Sequence, residues 1–562
     1  MPLVSRTFDQ LIDFTRTSAA TYVDATGRIV PTPASRNLLT FTQEFDNAAW
    51  TKNNTTVSAN AAISPDGTLT ADLVVPTTGS GAHNIYASYT YAAGAYTLTI
   101  HAKPSGYNWI KLGSMFSGNG VFFNISAGSV GTASAGYTGK ITASSNGFFR
   151  CEVTWTATAG SDLPGLYVAT ADGVNSFAGN GTSGVFIWGA QLEAGTTATD
   201  YTRNNGGVYP PRFDYDPVTL APKGLLVEEQ RTNLLTYSEQ FDNAVWIKGG
   251  VTVSANTTTS PDGTVDADKL VEDTANSGHG VTLSYTVVSA TTYALSFYAK
   301  AAGRSRISFS GGGFAAQGFN AIYDVSNGTM VLNNGDKATI TPVGNGWYRC
   351  TVAFTTSSTV AFGLAMADNS NNTTYTGDGT SGIFIWGAQL EAGSFATSYI
   401  PTVASQVTRT ADVATITGAN FSQFYNQSEG TFVVEADTVS NTGHLYSADD
   451  GTANNRIYST AALPAGTVFG GVTAGGTVGY GQSLSVILAA VPFKTATAYG
   501  LNNCNTALNG AAGTTDTSAN MPLVDRLRIG QNVAGVITTG HIRSIRYYPT
   551  RLSNAQLQAL TA

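Results

Sequence analysis

Aromatic and basic side chains stand at matching positions in two similar segments, and they are residue types that recognise sugars. Sugar recognition combines aromatic faces stacked on a pyranose ring with a few convergent polar groups. The segment SGYNWIKLGS supplies Tyr107 and Trp109, whereas the matching segment AGRSRISFS supplies Arg304 and Arg306. If these strands line concave surfaces, the two segments should prefer different ligands. Ordinary surface variation is the alternative interpretation.

A pair of histidines also occupies matching positions. His83 lies in SGAHNIY and His279 in NSGHGVT. Contact with a ligand is one interpretation, and a packing or loop hydrogen-bonding role is the other. The chain has five histidines, and none of them has the close spacing of an HExxH metal site.

Carboxylates at matching positions could hold a structural calcium ion, because Ca²⁺ prefers hard oxygen ligands. The candidates are Asp46, Asp242, Glu193 and Glu391. Their spacing does not form an EF-hand-like loop. Apart from this candidate calcium site, the sequence predicts no cofactor.

Catalytic motifs are sparse. Glycoside hydrolysis needs two carboxylates that face each other across a sugar bond, but the adjacent Glu228 and Glu229 would point to opposite faces of a strand. The sequence contains no GxSxG elbow and no P-loop. We therefore expect a protein that is not an enzyme. A polysaccharide-degrading enzyme whose site is assembled from distant residues is the less favoured alternative.

The composition excludes further classes of protein. Charged residues make up 11% of the chain, the net charge is −8 and the pI is about 5.1, whereas binding nucleic acid needs a basic stripe of Lys and Arg. No run approaches the ~18–20 apolar residues of a membrane span, and the start lacks the pattern of a signal peptide. We expect no nucleic acid partner, no membrane insertion, and synthesis in a bacterial cytoplasm.

An internal duplication organises the chain. NLLTFTQEFDNAAW from Asn37 recurs as NLLTYSEQFDNAVW from Asn233, and GTSGVFIWGAQLEAG from Gly181 recurs as GTSGIFIWGAQLEAG from Gly379. The two copies, residues 37–203 and 233–402, have the size of independent sandwich domains. Alternating apolar and polar residues between Gly- and Asn-rich clusters predict antiparallel strands in both.

The strand patterns also indicate which residues are buried. RCEVTWT and RCTVAFT place Cys151 and Cys350 on the apolar face of a strand, so we predict two buried core thiols. Trp188 and Trp386 in the repeated FIWGAQLEAG are likewise assigned to the core.

Two segments lie outside the copies. Residues 204–232 contain four prolines together with aromatic and apolar residues, which predicts an ordered connector. Residues 403–562 form a third predicted sandwich. It ends in a short helix with Ser553 as the N-cap and Gln556 completing a capping box.

Three stretches resemble known families. FTRTSAATYVDATGRIV from Phe14 and PRFDYDPVTLAPKGLLVEEQRTNLL from Pro211 resemble a sequence pair in structural and tail-associated proteins of tailed phages and prophages, where the two parts are close together. Here the first copy separates them, which is consistent with a module inserted into the pair. The two copies resemble phage-borne carbohydrate-binding jelly rolls of the galactose-binding type. The final GHIRSIRYYPTRLSNAQLQAL is similar to the last strand and helix of concanavalin A-like and laminin G-like sandwiches.

Together, pattern and resemblance predict an all-β fold: tandem antiparallel jelly-roll β-sandwiches plus a C-terminal lectin-like β-sandwich. The resemblance implies a virion-exposed tail fibre, spike or decoration protein that attaches to host-surface polysaccharide. Residues 1–36 would be the virion-attachment segment, other virion subunits would be partners, and a homotrimer is expected by analogy with phage fibres. The alternative is a capsid or tail decoration protein that packs on other virion subunits and binds no sugar.

Overall fold

A computed structural model of the chain describes residues 8–32, 37–206, 209–286, 288, 290–310, 321–333, 338–356, 360–463 and 465–562. Nearly all regular elements in these ranges are β-strands; the helices are Phe8–Leu11, Gly418–Ser422, Asn554–Thr561 and the 3₁₀ turn Ser145–Gly147. None of the helices in the described ranges is long and apolar enough to cross a bilayer. The predicted all-β fold class is confirmed.

The chain forms two compact units. Unit 1 consists of the described residues of 1–17 and 33–210, and unit 2 of those of 18–32 and 211–562. Unit 2 is therefore built from two stretches of chain that the first copy interrupts. The interruption falls where the phage-like sequence pair is divided.

Unit 1 contains the first sandwich, made of two six-stranded sheets that we name 1a and 1b. In spatial order, sheet 1a contains Tyr137–Ala143, Phe149–Ala157, Gly94–Ser105, Gly184–Ala194, Leu69–Pro76 and Thr55–Ile63. Sheet 1b contains Ser129–Ala133, Gly120–Asn124, Trp109–Ser114, Pro164–Ala169, Asn84–Tyr86 and Thr51–Asn53. Shorter strands of this unit are Asp13–Thr15 and the pairs Tyr89–Tyr91 with Gly160–Asp162 and Ser80–Ala82 with Ser176–Ala178.

Alternate residues of sheets 1a and 1b meet in the core between them. Leu98 and Val153 of sheet 1a and Ile110 and Leu166 of sheet 1b are fully buried in one apolar cluster. Burying such a side chain contributes about 1.5–3 kcal/mol, and successive side chains of a strand point to opposite faces. The core therefore decides which residues of sheet 1b face outward. Cys151 lies in this core as a free, buried thiol, as predicted.

The second sandwich, in unit 2, has the same strand order in sheets 2a and 2b. Sheet 2a contains Ala338–Pro342, Tyr348–Thr356, Thr291–Ala302, Gly382–Ala392, Val265–Glu272 and Val251–Thr259. Sheet 2b contains Thr329–Asn333, Ala321–Asp324, Arg306–Ser310, Val360–Ala367, Gly280–Tyr285 and Ile247–Gly249, and a separate pair joins Asn276–Gly278 to Thr374–Thr376. Phe297, Phe309 and Tyr323 pack in its core beside Cys350, which is also a free, buried thiol.

The third sandwich completes unit 2. Its sheet 3a contains, from this unit, Val413–Thr417, Arg526–Ile529, Gly443–Asp449, Arg456–Ala462, Thr467–Ala474 and Thr477–Ser485. Sheet 3b contains Arg212–Tyr215, Pro222–Val227, Gly540–Tyr548, Glu429–Thr438, Phe493–Gly500, Asn505–Leu508 and Ala511–Ala512. A further pair joins Arg231–Asn233 to Val407–Arg409. Two strands of the proline-rich segment thus extend sheet 3b, with Pro222 at the start of its strand, where no ladder donor is lost.

The final helix forms as predicted. The Ser553 side chain accepts a hydrogen bond from the Gln556 amide, and the Gln556 side chain accepts one from the Ser553 amide, which completes the capping box. Leu557 is fully buried and Leu560 packs beside it. The helix therefore covers one side of the strands Phe493–Gly500 and Asn505–Leu508.

Trp188 and Trp386 are buried, but not in the cores between the sheets. Trp386 packs on Tyr399 and Tyr298, with Ile29 in the same cluster, and Trp188 packs on Tyr201 in a separate small cluster. The period-two pattern of FIWGAQLEAG places Trp on the opposite face from Ile187 and Ile385, which do enter the main cores. The predicted burial of both tryptophans is confirmed, in smaller clusters than the main cores between the sheets.

A hairpin of strands Thr21–Val23 and Ile29–Pro31 packs within unit 2. The Ile29 amide donates to the carbonyl of Pro261 (3.1 Å), and the Val23 amide donates to the Asp214 carboxylate (2.6 Å). This hairpin belongs to the segment predicted to attach to a virion, and that attachment stays a prediction.

Two arginines and two carboxylates form a buried ion network in unit 2. Arg212 Nη1 lies 2.7 Å from Glu228 Oε2, and Arg212 Nη2 lies 2.5 Å from Asp412 Oδ2. Arg409 Nη1 lies 3.2 Å from the same Glu228 oxygen. Burial alone would raise the pKa of Glu228, but Arg409 and Arg212 lower it below its ordinary value. The network joins the segment before the second sandwich to the segment after it.

His541 forms a second buried link in unit 2. Its Nε2 lies 2.9 Å from Asp214 Oδ2 and its Nδ1 lies 2.9 Å from Asp437 Oδ1. Burial alone would lower the pKa of His541, yet the two carboxylates outweigh burial and raise it. His541 thus bridges the strand Arg212–Tyr215 to the strand Glu429–Thr438.

Candidate functional site

The outer surface of sheet 1b carries a group of aromatic residues around one lysine. Because Ile110 and Leu112 point into the core, their neighbours Trp109 and Lys111 point outward. Lys111 is paired across the sheet with Phe122 on one side and Tyr167 on the other, and such directly opposed side chains share a face. We name Trp109, Lys111, Phe122 and Tyr167 the aromatic face.

Lys111 is held between two rings. Its Nζ lies 5.2 Å from the centroid of Phe122 and 5.5 Å from that of Tyr167, and it donates a hydrogen bond to the carbonyl of Gly118. Lys111 and both rings are buried, and this burial lowers the pKa of Lys111 from its ordinary value. Among the described residues, Lys111 has no carboxylate within ion-pair distance. Cation–π attraction and the Gly118 hydrogen bond therefore stabilise the ammonium and fix both rings.

Trp109 stands next to hydrogen-bonding groups. It is directly opposite Asn124 in the register. A Cβ on Gly131 would come within 2.7 Å of the Trp109 indole and 2.5 Å of Asp172 Oδ1, so the indole and this carboxylate flank the same glycine. Asp172 is exposed and its position is fixed by hydrogen bonds from the amide and hydroxyl of Thr132. An indole beside a carboxylate and an amide matches the requirements for a sugar site.

Further aromatic groups surround this face. Tyr86 is partly exposed and faces outward beside Gly165. Phe116, in the loop that follows the strand Trp109–Ser114, is 81% exposed. Exposure of this ring to water is unfavourable, so the ring offers an apolar contact at the end of the sheet.

The equivalent outer surface of sheet 2b carries different side chains. The positions of Lys111, Phe122 and Tyr167 are taken by Ser308, Ile322 and Ala365. At the position of Trp109, the Arg306 guanidinium lies 3.5 Å from Asp324 and donates to Asn371 Oδ1 (3.0 Å). The side chain is therefore bound to its own sandwich and presents no ring.

The second predicted arginine is also engaged. Arg304 makes two hydrogen bonds to Glu272 (2.8 and 2.6 Å), and its guanidinium stacks on Tyr375 at 5.0 Å. In the first sandwich Tyr107 packs on Phe177 at the corresponding place. Of the four aromatic and basic candidates, only Trp109 joins the aromatic face.

His83 and His279 are fully buried in equivalent loops. His83 Nδ1 and Nε2 lie 2.7 and 3.0 Å from the carbonyls of Asn54 and Phe177. His279 contacts the carbonyls of Gly250 and Tyr375 in the same way. This geometry favours the loop hydrogen-bonding role over ligand contact.

Of the predicted metal ligands, the two glutamates have protein partners for their carboxylates. Glu193 accepts hydrogen bonds from the amide and hydroxyl of Thr199, and Glu391 does so from Thr397. Asp46 and Asp242 lie in turns whose carbonyls accept hydrogen bonds from Lys52 and Lys248. In the part of the chain that the structure describes, no group of three His, Cys, Asp or Glu residues could hold a metal ion. The calcium site stays a prediction without geometric support.

The two adjacent glutamates of the connector have different ion-pair partners. Glu228 belongs to the buried ion network, whereas the more exposed Glu229 pairs with the buried Arg231. They do not face each other across a cleft.

Sequence reasoning found Trp109 but missed Lys111, Phe122, Tyr167 and Asp172. The alternation in WIKLGS did place Lys111 on the same side as Trp109, so that signal was available. Phe122, Tyr167 and Asp172 come from other strands and loops, and only the register brings them together.

Comparison with family models and with curated proteins finds no match. Solved structures with similarity include the receptor binding domain of botulinum neurotoxin mosaic serotype C/D (15% identity, 26% of this chain, 39% of that chain, TM-score 0.20). The CBM22-1-CBM22-2 tandem domain of Paenibacillus barcinonensis Xyn10C is 13% identical over 64% of this chain and 100% of that chain, with a TM-score of 0.21. Domains LG4-5 of mouse laminin α1 are 11% identical over 50% and 88%, with a TM-score of 0.18. The chain spans about two fifths of the length of the neurotoxin domain.

Proposed function

We propose that the protein is a carbohydrate-binding protein whose site is the aromatic face of the first sandwich. The observation that supports this most is the grouping of the partly exposed Trp109 with Asp172 and Asn124, beside the buried rings that Lys111 fixes. The ligand is a neutral pyranose. Its apolar face stacks on the Trp109 indole, and its hydroxyls donate to the Asp172 carboxylate and accept from the Asn124 amide.

The biological setting that we propose is the surface of a bacteriophage particle. The divided sequence pair at residues 14–30 and 211–235 supports it through its resemblance to tailed-phage structural proteins. There the protein attaches the virion to host-surface polysaccharide and packs on other virion subunits. A trimer on a particle repeats one weak site, and linked sites gain avidity without a tight single contact.

A glycan array and host cells test the proposal. We expect wild-type protein to bind a subset of neutral glycans and to release no product from them. Trp109→Ala should reduce this binding at least tenfold, while Arg306→Ala, the matched position of sheet 2b, should leave it unchanged. Binding that survives Trp109→Ala would contradict the proposed site. No glycan or cell binding by wild-type protein would favour the decoration protein that binds no sugar.

A further inference from the structure

A second group of aromatic and basic residues lies on the outer surface of sheet 3a, in unit 2. Tyr446 points into the core, where its ring is 4.5 Å from Phe432. The register opposes Ser447 to Tyr458 and His444 to Thr460, and Thr460 to Phe469. His444, Tyr458 and Phe469 are thus on the outward side. With Arg456, two residues before Tyr458, we name them the arginine platform.

The rings of the platform lie next to one another with moderate tilts between their planes. The centroids of His444 and Tyr458 are 5.6 Å apart with 31° between the planes, and those of Tyr458 and Phe469 are 5.8 Å apart with 33°. A Cβ on Gly471 would come within 2.6 Å of the Tyr458 ring, and one on Gly481 within 2.8 Å of the Phe469 ring. The two glycines therefore leave room for rings that lie over the neighbouring strands.

Arg456 carries the positive charge of the platform, and it has no carboxylate partner among the described residues. Its guanidinium carbon lies 4.2 Å above the centre of the Tyr458 ring. Asp449, which opposes Arg456 in the register, is fully buried and pairs with Arg528 at 3.1 Å. Among the described residues Arg456 has no ion pair, and its Nε has no hydrogen-bond partner.

His444 adds unsatisfied polar atoms at the other side of Tyr458. Both of its ring nitrogens are buried from water and have no hydrogen-bond partner in the described part of the chain. Burial first, and then the charge of Arg456, lower the pKa of His444 to about 4. The ring is therefore neutral at physiological pH, with one N–H that can donate and one lone pair that can accept.

We infer that the arginine platform binds a sugar that carries a carboxylate group. A guanidinium recognises a carboxylate with two parallel hydrogen bonds, and Arg456 is already oriented by its stacking on Tyr458. The partly exposed Phe469 ring offers a stacking surface for the pyranose. The site uses residues of unit 2 alone, so it is independent of the aromatic face.

Binding of polygalacturonate to the full-length protein tests this inference, with its fully methyl-esterified form and dextran as probes without carboxylates. We expect wild-type protein to prefer polygalacturonate at least tenfold over both. Arg456→Gln, which keeps most of the side-chain length, should abolish that preference. Arg546→Gln, which removes the same charge from an exposed position of sheet 3b, should retain it, and so should Trp109→Ala.

Several results would overturn the inference. One is a loss as large in Arg546→Gln as in Arg456→Gln, which would show a general charge effect. Another is equal binding of the free acid and the ester by wild-type protein. The third is no binding by wild-type protein to polygalacturonate, hyaluronate or polysialic acid. Unfolding curves of each variant confirm that a lost preference is not a lost fold.

Discussion

The two jelly-roll sandwiches share their internal structure and differ on their outer surfaces. Both fix a buried tryptophan against a phenylalanine, Phe45 on Trp50 and Phe241 on Trp246, with ring centroids 4.8 Å apart. Both bury a histidine between two loop carbonyls, and both place a glutamate under the turn after the last strand. On the outer side of sheet 1b lie rings and a lysine, where sheet 2b has Ser308, Ile322, Ala365 and an engaged arginine.

This comparison separates residues that maintain the fold from residues that we propose recognise a ligand. Residues retained in both copies are those whose contacts close loops or fill cores. Residues that differ between the copies, such as Lys111 and Ser308 or Tyr167 and Ala365, lie on the side of the sheet away from the main core, where they are nevertheless buried. The second copy lies in unit 2, where buried ion pairs join the segments on either side of it. We therefore propose that the first copy binds ligands, whereas the second copy is a structural part of unit 2.

The largest expected effect concerns the buried network of unit 2. Glu228→Gln leaves Arg212 and Arg409 without their shared carboxylate, and breaking a buried pair in this way costs about 3–5 kcal/mol. We expect calorimetry to show a lower melting temperature for unit 2 and an unchanged transition for unit 1. The matched control is Glu44→Gln in unit 1, where the partly exposed pair with Arg203 should contribute at most about 1 kcal/mol. A shift of both transitions would contradict the separation of the units.

A smaller, pH-dependent effect is expected at His541. Its folded-state pKa is raised above the unfolded value of about 6.5, so its stabilisation is complete below about pH 6.5 and is lost as the pH rises through the folded pKa. His541→Gln should cost about 3 kcal/mol at pH 6, and less at pH 9.5. Urea unfolding at the two pH values measures the change, and only the unit 2 transition should respond. A cost that does not depend on pH would show that His541 is neutral in the folded protein.

Equal and moderate effects are expected at the two retained glutamates. Glu193→Gln and Glu391→Gln each weaken charge-assisted hydrogen bonds from a threonine amide and hydroxyl, at a cost of about 1–2 kcal/mol. Because the two turns are equivalent, the two costs should agree within about 0.5 kcal/mol. Addition of EDTA should change neither value. If Ca²⁺ stabilised the wild-type protein and either substitution removed this stabilisation, the result would support the predicted metal site.

The smallest effect tests the role of Lys111. Lys111→Met retains the aliphatic stem but removes the ammonium that fixes Phe122 and Tyr167, so we expect glycan affinity to fall about threefold to tenfold, which is about 0.7–1.4 kcal/mol. Ser308→Ala in sheet 2b is the matched control and should have no effect on binding. Isothermal titration with a glycan selected from the array measures both. Unchanged affinity in Lys111→Met would show that the rings are positioned without the lysine.

Local patterns predicted much of the fold. Alternation and the internal repeat indicated two antiparallel sandwiches, and the capping box marked the final helix. The pairing of Pro222–Val227 with Gly540–Tyr548 was not predictable, because it joins residues more than 300 positions apart and has no local signal. The same applies to His541 and Asp214, which are brought together by that pairing.

The candidate site was predictable only in part. Trp109 has the residue type and the strand position of a sugar contact, so the sequence indicated it. Arg304 and His279 have suitable chemistry too, but their partners Glu272 and Tyr375 lie far away in sequence and engage them. Which polar groups stay available is decided by tertiary contacts, and residue type alone does not reveal it.

Hydrogen exchange of the full-length protein, with and without a saturating glycan, tests the central claim most directly. We predict slower exchange in the strands Trp109–Ser114, Gly120–Asn124 and Pro164–Ala169 and in the loop around Asp172, and no change in the strand Arg306–Ser310. Protection of the second sandwich alone, or of both equally, would contradict the assignment of ligand binding to the aromatic face.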